Sequence, residues 1–187
     1  VVHLLAWLKV RQAPSNLLFS LGVGISLVFL SYFELAMMNA TTTESYLRAL
    51  RWLHAPVWII VILTLGVVLV HLRAGRLWLA LLAGGVRTVS VIVNFLAKTN
   101  LNYTALERLE VISVLGDDVK VAVGTPNPWM LLGQLSLLLM LAFIVDAMIT
   151  LWKRGERRRA MIFGPSMIVF VLVPTVINAL IVLGVIE

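Results

Sequence analysis

The sequence contains no cysteine. Disulfides, thiolate metal sites and redox thiols are thereby excluded. Histidine is almost as scarce, with three residues, His3, His54 and His71. Charge is thin as well: 13% of residues are charged, against about 25% in an ordinary soluble domain. A Gly-rich phosphate loop, a nucleophile–base pair and a kinase signature are all missing, so the segment discloses no catalytic machinery of its own. Metal hydrolysis needs His or carboxylate ligands clustered at helical spacing, and the sequence has no such cluster. Haem between two histidines fails on placement. His54 and His71 share one apolar stretch, too far apart to ligate one iron, and pairing His3 with His71 has no further support. No cofactor is expected.

What the sequence has in abundance is apolar surface: 61% hydrophobic residues and a mean hydropathy of +1.02. A 187-residue globule has too much surface to hide that share from water. A lipid solvent removes the difficulty. A span needs about 20 mostly apolar residues, because the hydrocarbon core is about 30 Å thick and a helix rises about 1.5 Å per residue. Six stretches qualify or nearly do: 1–8, 17–38, 52–72, 77–97, 128–152 and 160–185. They are too long and continuous for the alternating strands of a membrane barrel. The expected fold class is therefore all-α, a polytopic membrane helix bundle of about six spans within 1–187. The short stretch 1–8 reads as the end of a helix that starts earlier. A further span after Glu187 would make seven.

Basic residues set the orientation. Lys9 and Arg11 follow the first stretch, Arg73 and Arg76 the third, and Lys153, Arg154, Arg157, Arg158 and Arg159 the fifth. The loops after Lys9, Leu72 and Trp152 therefore fall on one side, which the excess of Lys and Arg marks as cytoplasmic. The opposite loops mix Arg48, Arg51, Lys98, Arg108 and Lys120 with Glu44, Glu107, Glu110, Asp117 and Asp118. Trp7, Trp78 and Trp152 at one set of ends, and Trp52, Trp58 and Trp129 at the other, fit aromatic belts at both interfaces. The net charge of +6 thus reports membrane orientation and contact with lipid headgroups. It does not point to nucleic acid.

Residues 98–127 form the one sizeable extracytoplasmic loop. Two β-branched runs, 111–115 and 119–123, flank Gly116-Asp117-Asp118 and predict a small hairpin. Isolated hairpins are marginal in water, so this one is expected to lie on the outer end of the bundle. Pro126 and Pro128 lead into the fifth stretch, with Asn127 as its candidate cap.

Four ionisable side chains lie inside or at the edge of spans: Glu34, His54, Arg87 and Asp146. A charge in lipid costs roughly 2.5–3.5 kcal/mol on insertion scales, so each should face the interior and find a partner. Glu34 and His54 fall at similar depth on consecutive helices and are expected to hydrogen-bond. Arg87 falls near the middle of its span, with Asn94 two turns further out and either acid within side-chain reach. Two readings stand side by side: a polar site that binds a ligand or senses protons, or interhelical hydrogen bonds that only fix the packing. Gly84-Gly85 and the pair Gly22 and Gly24 permit close helix approach.

Several strings carry a family likeness: Arg87-Thr88-Val89-Ser90, Asn94-Phe95-Leu96, Asn100-Leu101-Asn102-Tyr103, Asn127-Pro128-Trp129, Gly133-Gln134-Leu135-Ser136, Val145-Asp146-Ala147, and Trp152-Lys153-Arg154-Gly155 leading into Arg157-Arg158-Arg159-Ala160. Together they resemble the N-terminal multi-helix membrane region of bacterial sensor histidine kinases in which the bundle precedes PAS domains and a kinase core. The likeness runs from Asn16-Leu17-Leu18-Phe19 through the sixth stretch. It implies a sensory input domain over 1–187 in the bacterial inner membrane, acting on cytoplasmic kinase domains outside this chain. It also implies a homodimer, a response regulator as downstream partner, and an unknown small-molecule or lipid-soluble stimulus. The ligand-binding or switch candidates are Glu34, His54, Arg87, Asn94, Asn102, Asn127, Trp129 and Asp146. One departure is plain: Ala122-Val123-Gly124-Thr125-Pro126 stands where the likeness implies a Glu-Gly-Val-Pro run, so an outer carboxylate is missing. The alternatives are a small transporter or channel, a structural subunit of a membrane complex, and a lipid-modifying enzyme.

Overall fold

The computed structural model describes residues 14–114 and 117–182. Five helices and one hairpin follow one another: α1 (Pro14–Met38), α2 (Thr43–Val70), α3 (Leu77–Leu96), β1 (Tyr103–Val114), β2 (Asp117–Pro126), α4 (Met130–Lys153) and α5 (Arg157–Val182). The helices are built from long apolar runs, and each packs mainly on a helix next to it in sequence, α3 and α4 doing so across the intervening hairpin. Large apolar side chains such as Leu21, Val28, Leu81, Leu131 and Leu138 cover the outside. That exterior suits lipid and would be a liability in water.

Four helices, α1 to α4, are long and apolar enough to cross a membrane. Six spans are not supported. The stretch 1–8 lies outside the described residues. Residues 160–182 form most of α5, which is not among the four and opens on Arg157, Arg158 and Arg159, while 183–185 lie outside the described residues.

Helix α2 begins at Thr43, well before the expected start at Trp52. The cause is a capping box: Ser45 N–H donates to the Thr42 hydroxyl at 3.2 Å, and Thr42 N–H donates to Ser45 Oγ at 3.2 Å. Glu44 in the first turn, paired with Arg48 at 2.9 Å, adds to the favourable end of the helix dipole. A polar first turn therefore extends the helix beyond its apolar span. Pro56 lies inside α2, which continues through it.

The strands are longer than the two runs read from sequence. They pair antiparallel from Tyr103 opposite Pro126 to Val114 opposite Asp117, with irregularities after Tyr103 and after Leu106. The hairpin docks on the bundle as expected. Tyr103 of β1 and Ala122 of β2 bury against Leu50 of α2, with Met37 of α1 and Tyr46 packed alongside. Lys120 donates to the Ala40 carbonyl between α1 and α2. This fixes a hairpin end and an opposite, arginine-rich end.

Close helix approach uses one glycine of each expected pair. A Cβ on Gly22 would meet Leu63 at 2.6 Å, and one on Gly84 would meet Ile62 at 3.2 Å. Gly24 and Gly85 face open space. Both working glycines serve contacts with α2. In the half away from the hairpin, Val61, Leu65 and Val68 of α2 interlock with Ala80 and Ala83 of α3 and Met140, Phe143, Ile144 and Leu151 of α4. Gly75, at φ +82°, passes over Phe143 so closely that a Cβ would lie 2.4 Å from the ring. Only glycine meets both demands there.

Candidate functional site

The hairpin half has a polar interior. On α3, Arg87, Ser90 and Asn94 are buried at helical spacing, continuing the stripe begun by Ala80, Ala83 and Gly84. Facing them are His54 of α2, Asn100 in the connection to β1, Asn127 after β2, and Gly133 and Ser136 of α4, all buried.

The asparagines are engaged. Asn94 Nδ2 donates to the Arg51 carbonyl at 2.8 Å, and its Oδ1 accepts from Leu101 N–H at 3.0 Å. Asn100 Oδ1 accepts from the N–H groups of Asn102 and Tyr103, each at 2.8 Å, turning the chain into β1. Asn127 Nδ2 donates to the Asn100 carbonyl at 2.9 Å, and Asn127 N–H donates to the Asn102 carbonyl at 2.9 Å. Asn127 is not the helix cap expected of it. The cap position is Trp129, and Asn127 Oδ1 accepts from Trp129 N–H at 3.1 Å in the turn before α4. The Trp129 side chain is exposed.

Arg51 was not foreseen as a site residue. Its guanidinium donates to the carbonyls of Ala97 and Lys98 at 2.9 Å, and also to that of Thr99. It thereby satisfies three carbonyls just past the C-terminal end of α3, where a cation is favoured by the helix dipole.

Arg87 and His54 behave differently. Arg87 is 4% exposed, and none of the four ion pairs among the described residues includes it. Its Nε has no hydrogen-bond partner, and neither have both ring nitrogens of His54, Ser90 Oγ and Asn100 Nδ2. Arg87 lies within electrostatic reach of His54, and the Asn102 carboxamide sits beside the imidazole, short of good hydrogen-bond geometry. A Cβ built on Gly133 would find Arg87 Nη1 at 3.6 Å, Leu101 Cδ2 at 3.6 Å and Ser90 Oγ at 3.7 Å. The guanidinium and the hydroxyl therefore converge over a glycine on the first turn of α4.

Two expected pairings are corrected. Glu34 does not meet His54: it is exposed on α1, without a partner among the described residues. It sits about 6 Å from the helix end, where a carboxylate reaches the interface. Asp146 does not meet Arg87 either. It lies at the arginine-rich end, where Arg76 N–H donates to Oδ2 at 2.8 Å and Arg76 Nε stands 3.4 Å from Oδ1. A carboxylate at the N-terminus of α3 is favoured by the dipole, so the start of the helix claims Asp146. Trp58, read as a belt residue, is half-buried and donates from Nε1 to Thr88 Oγ1 at 2.9 Å.

Of the eight candidates, the structure brings His54, Arg87, Asn94, Asn102 and Asn127 to one region and leaves Glu34, Trp129 and Asp146 outside its interior. Ser90, Asn100, Gly133 and Arg51 belong with it. The spacing of Arg87, Ser90 and Asn94 was visible in the sequence as a polar stripe on one helix face. Among the described residues, no group of three His, Asp or Glu side chains could hold a metal ion. The fold and the site define a polytopic helical membrane protein with a polar interior at one end. No protein family, curated protein or solved structure matches the chain.

Proposed function

We propose that the chain is the membrane-embedded sensory input domain of a two-component sensor histidine kinase, seated in the bacterial inner membrane with its arginine-rich end in the cytoplasm. The observation that carries this reading is the buried, unpaired Arg87 among idle hydrogen-bonding groups from α2, α3 and the connection to β1. An interior with unspent hydrogen-bonding capacity is suited to two packings of similar energy. A stimulus that binds one packing better shifts the balance between them. The long helices α2 to α4 run uninterrupted from this cluster to the arginine-rich end, so a change of packing at one end is felt at the other. Transport through broken helices is less favoured, because α1 to α4 are each continuous.

The test begins with the gene. Reading it on both sides of this segment should reveal a phosphoacceptor histidine segment and an ATP-binding domain. The full-length protein in native membranes should then autophosphorylate, and Arg87→Ala should hold that rate in one state whatever the stimulus. A gene with no output domain, or an Arg87→Ala protein with normal membrane levels and normal regulation, would remove the reading.

A further inference from the structure

Five buried polar atoms without partners gather in one half of this bundle: Arg87 Nε, both nitrogens of His54, Ser90 Oγ and Asn100 Nδ2. Arg87 Nε and Asn100 Nδ2 can only donate, Ser90 Oγ and His54 can donate as well as accept, and the guanidinium cannot lose its charge in ordinary conditions. A buried cation without a counter-ion is costly. The acids nearest in sequence logic are elsewhere, since Asp146 is held by Arg76 and Glu34 is exposed on α1. What the cluster lacks is an acceptor with negative charge.

We infer that the space bounded by Arg87, Ser90 and Gly133 is a binding site for a carboxylate, presented to the guanidinium and the serine hydroxyl from the hairpin end. Depth supports access from that end. Although Arg87 belongs to the middle of α3, its Nη1 lies over Gly133, about 5 Å along α4 from Met130. The guanidinium thus reaches toward the hairpin end of α4. The missing side chain at Gly133 leaves a methyl-sized gap walled by Nη1 and Leu101 Cδ2 at 3.6 Å and Ser90 Oγ at 3.7 Å, so a carboxylate is admitted only as the packing around it shifts. Arginine's planar fork matches a carboxylate with two parallel hydrogen bonds. Ser90 adds a donor, and His54, with Asn102 beside it, lies within electrostatic reach of Arg87. This names the ligand class for the cluster on which the sensor reading rests. Two sources share the chemistry: a small organic acid from water, or a fatty acid from the bilayer.

The chain in phosphatidylcholine nanodiscs would be titrated with radiolabelled acetate and, separately, octanoate, with octanol as the uncharged control. Saturable one-to-one binding of acetate supports the site with a water-borne ligand. Binding of octanoate but of neither acetate nor octanol supports it with a lipid-borne one. In both cases Arg87→Gln should weaken binding by about tenfold or more, the loss of one charge-assisted pair. Gly133→Ala, which sets a methyl into the space without a close clash, should also weaken it while the fold and thermal midpoint hold. Binding that persists in Arg87→Gln, equal uptake of octanol, or no binding of either acid would overturn the proposal. Binding is read without any phosphorylation output, so its failure and the failure of the kinase reading are separate results.

Discussion

The two halves of this bundle are made from the same helices and are packed by different rules. Away from the hairpin, Val68, Phe143, Ile144, Ala147 and Leu151 are fully enclosed and interlock with no polar atom to satisfy. Asp146, at the edge of that core, is pinned by a backbone N–H and an arginine and keeps 19% side-chain exposure. Toward the hairpin, Arg87, Ser90, Asn94, Asn100 and Asn127 occupy the equivalent interior positions. Part of that set is a finished hydrogen-bond network and part is idle. The difference teaches that the interior of one bundle can hold satisfied and unsatisfied polar groups side by side. A bundle can be anchored by one half and leave the other unfinished, which is where a ligand or a change of packing finds purchase.

Stability measurements on reversible unfolding in mixed micelles can break or sharpen this contrast. The largest effect is expected in the apolar half: Phe143→Ala should cost about 4 kcal/mol through the cavity it opens. Next, Asn94→Ala should cost about 3 kcal/mol, because it leaves the buried Leu101 N–H without its acceptor and removes the tie from α3 to the Arg51 carbonyl. Arg87→Met is the decisive case. If Arg87 is an idle buried cation, the variant should gain about 2 kcal/mol and lose regulation. A loss of similar size would make Arg87 a packing residue and erase the contrast. At the other end, Asp146→Asn should cost about 1 kcal/mol at most, since the amide oxygen still accepts from Arg76 N–H and the arginine is exposed.

The smallest effect concerns the docked hairpin. Burial pushes the Tyr103 phenol above its ordinary value of 10.0. Its neutral form is therefore the one favoured by docking, so the contribution is complete below pH 10 and fades as pH rises through the elevated value. Protease cleavage of the hairpin should increase at high pH, and Tyr103→Phe should blunt that increase.

Much of the site lay in plain view. Arg87 and Asn94 stood out as polar residues in an apolar run, and three further residues flagged from sequence, His54, Asn102 and Asn127, join them. The misses share a cause. Glu34 and His54 were matched by depth, but depth along a helix says nothing of which way its face turns. Both acids were placed within reach of Arg87, while for Asp146 the nearby start of α3 offered an N–H, a favourable dipole and Arg76 at once. Arg51 was counted among loop charges because its partners, three backbone carbonyls at the end of α3, have no signature in sequence.

Sequence alone determined the solvent of this protein, its helical class and the place of its hairpin. These follow from local quantities: apolar run length against bilayer thickness, and turn residues between β-branched runs. Tertiary structure alone decided which polar groups are spent and which are left idle. That outcome depends on helix rotation and on competition among donors for a few acceptors. Both are fixed by contacts between residues far apart in the chain, such as Arg76 with Asp146 and Gly133 with Arg87.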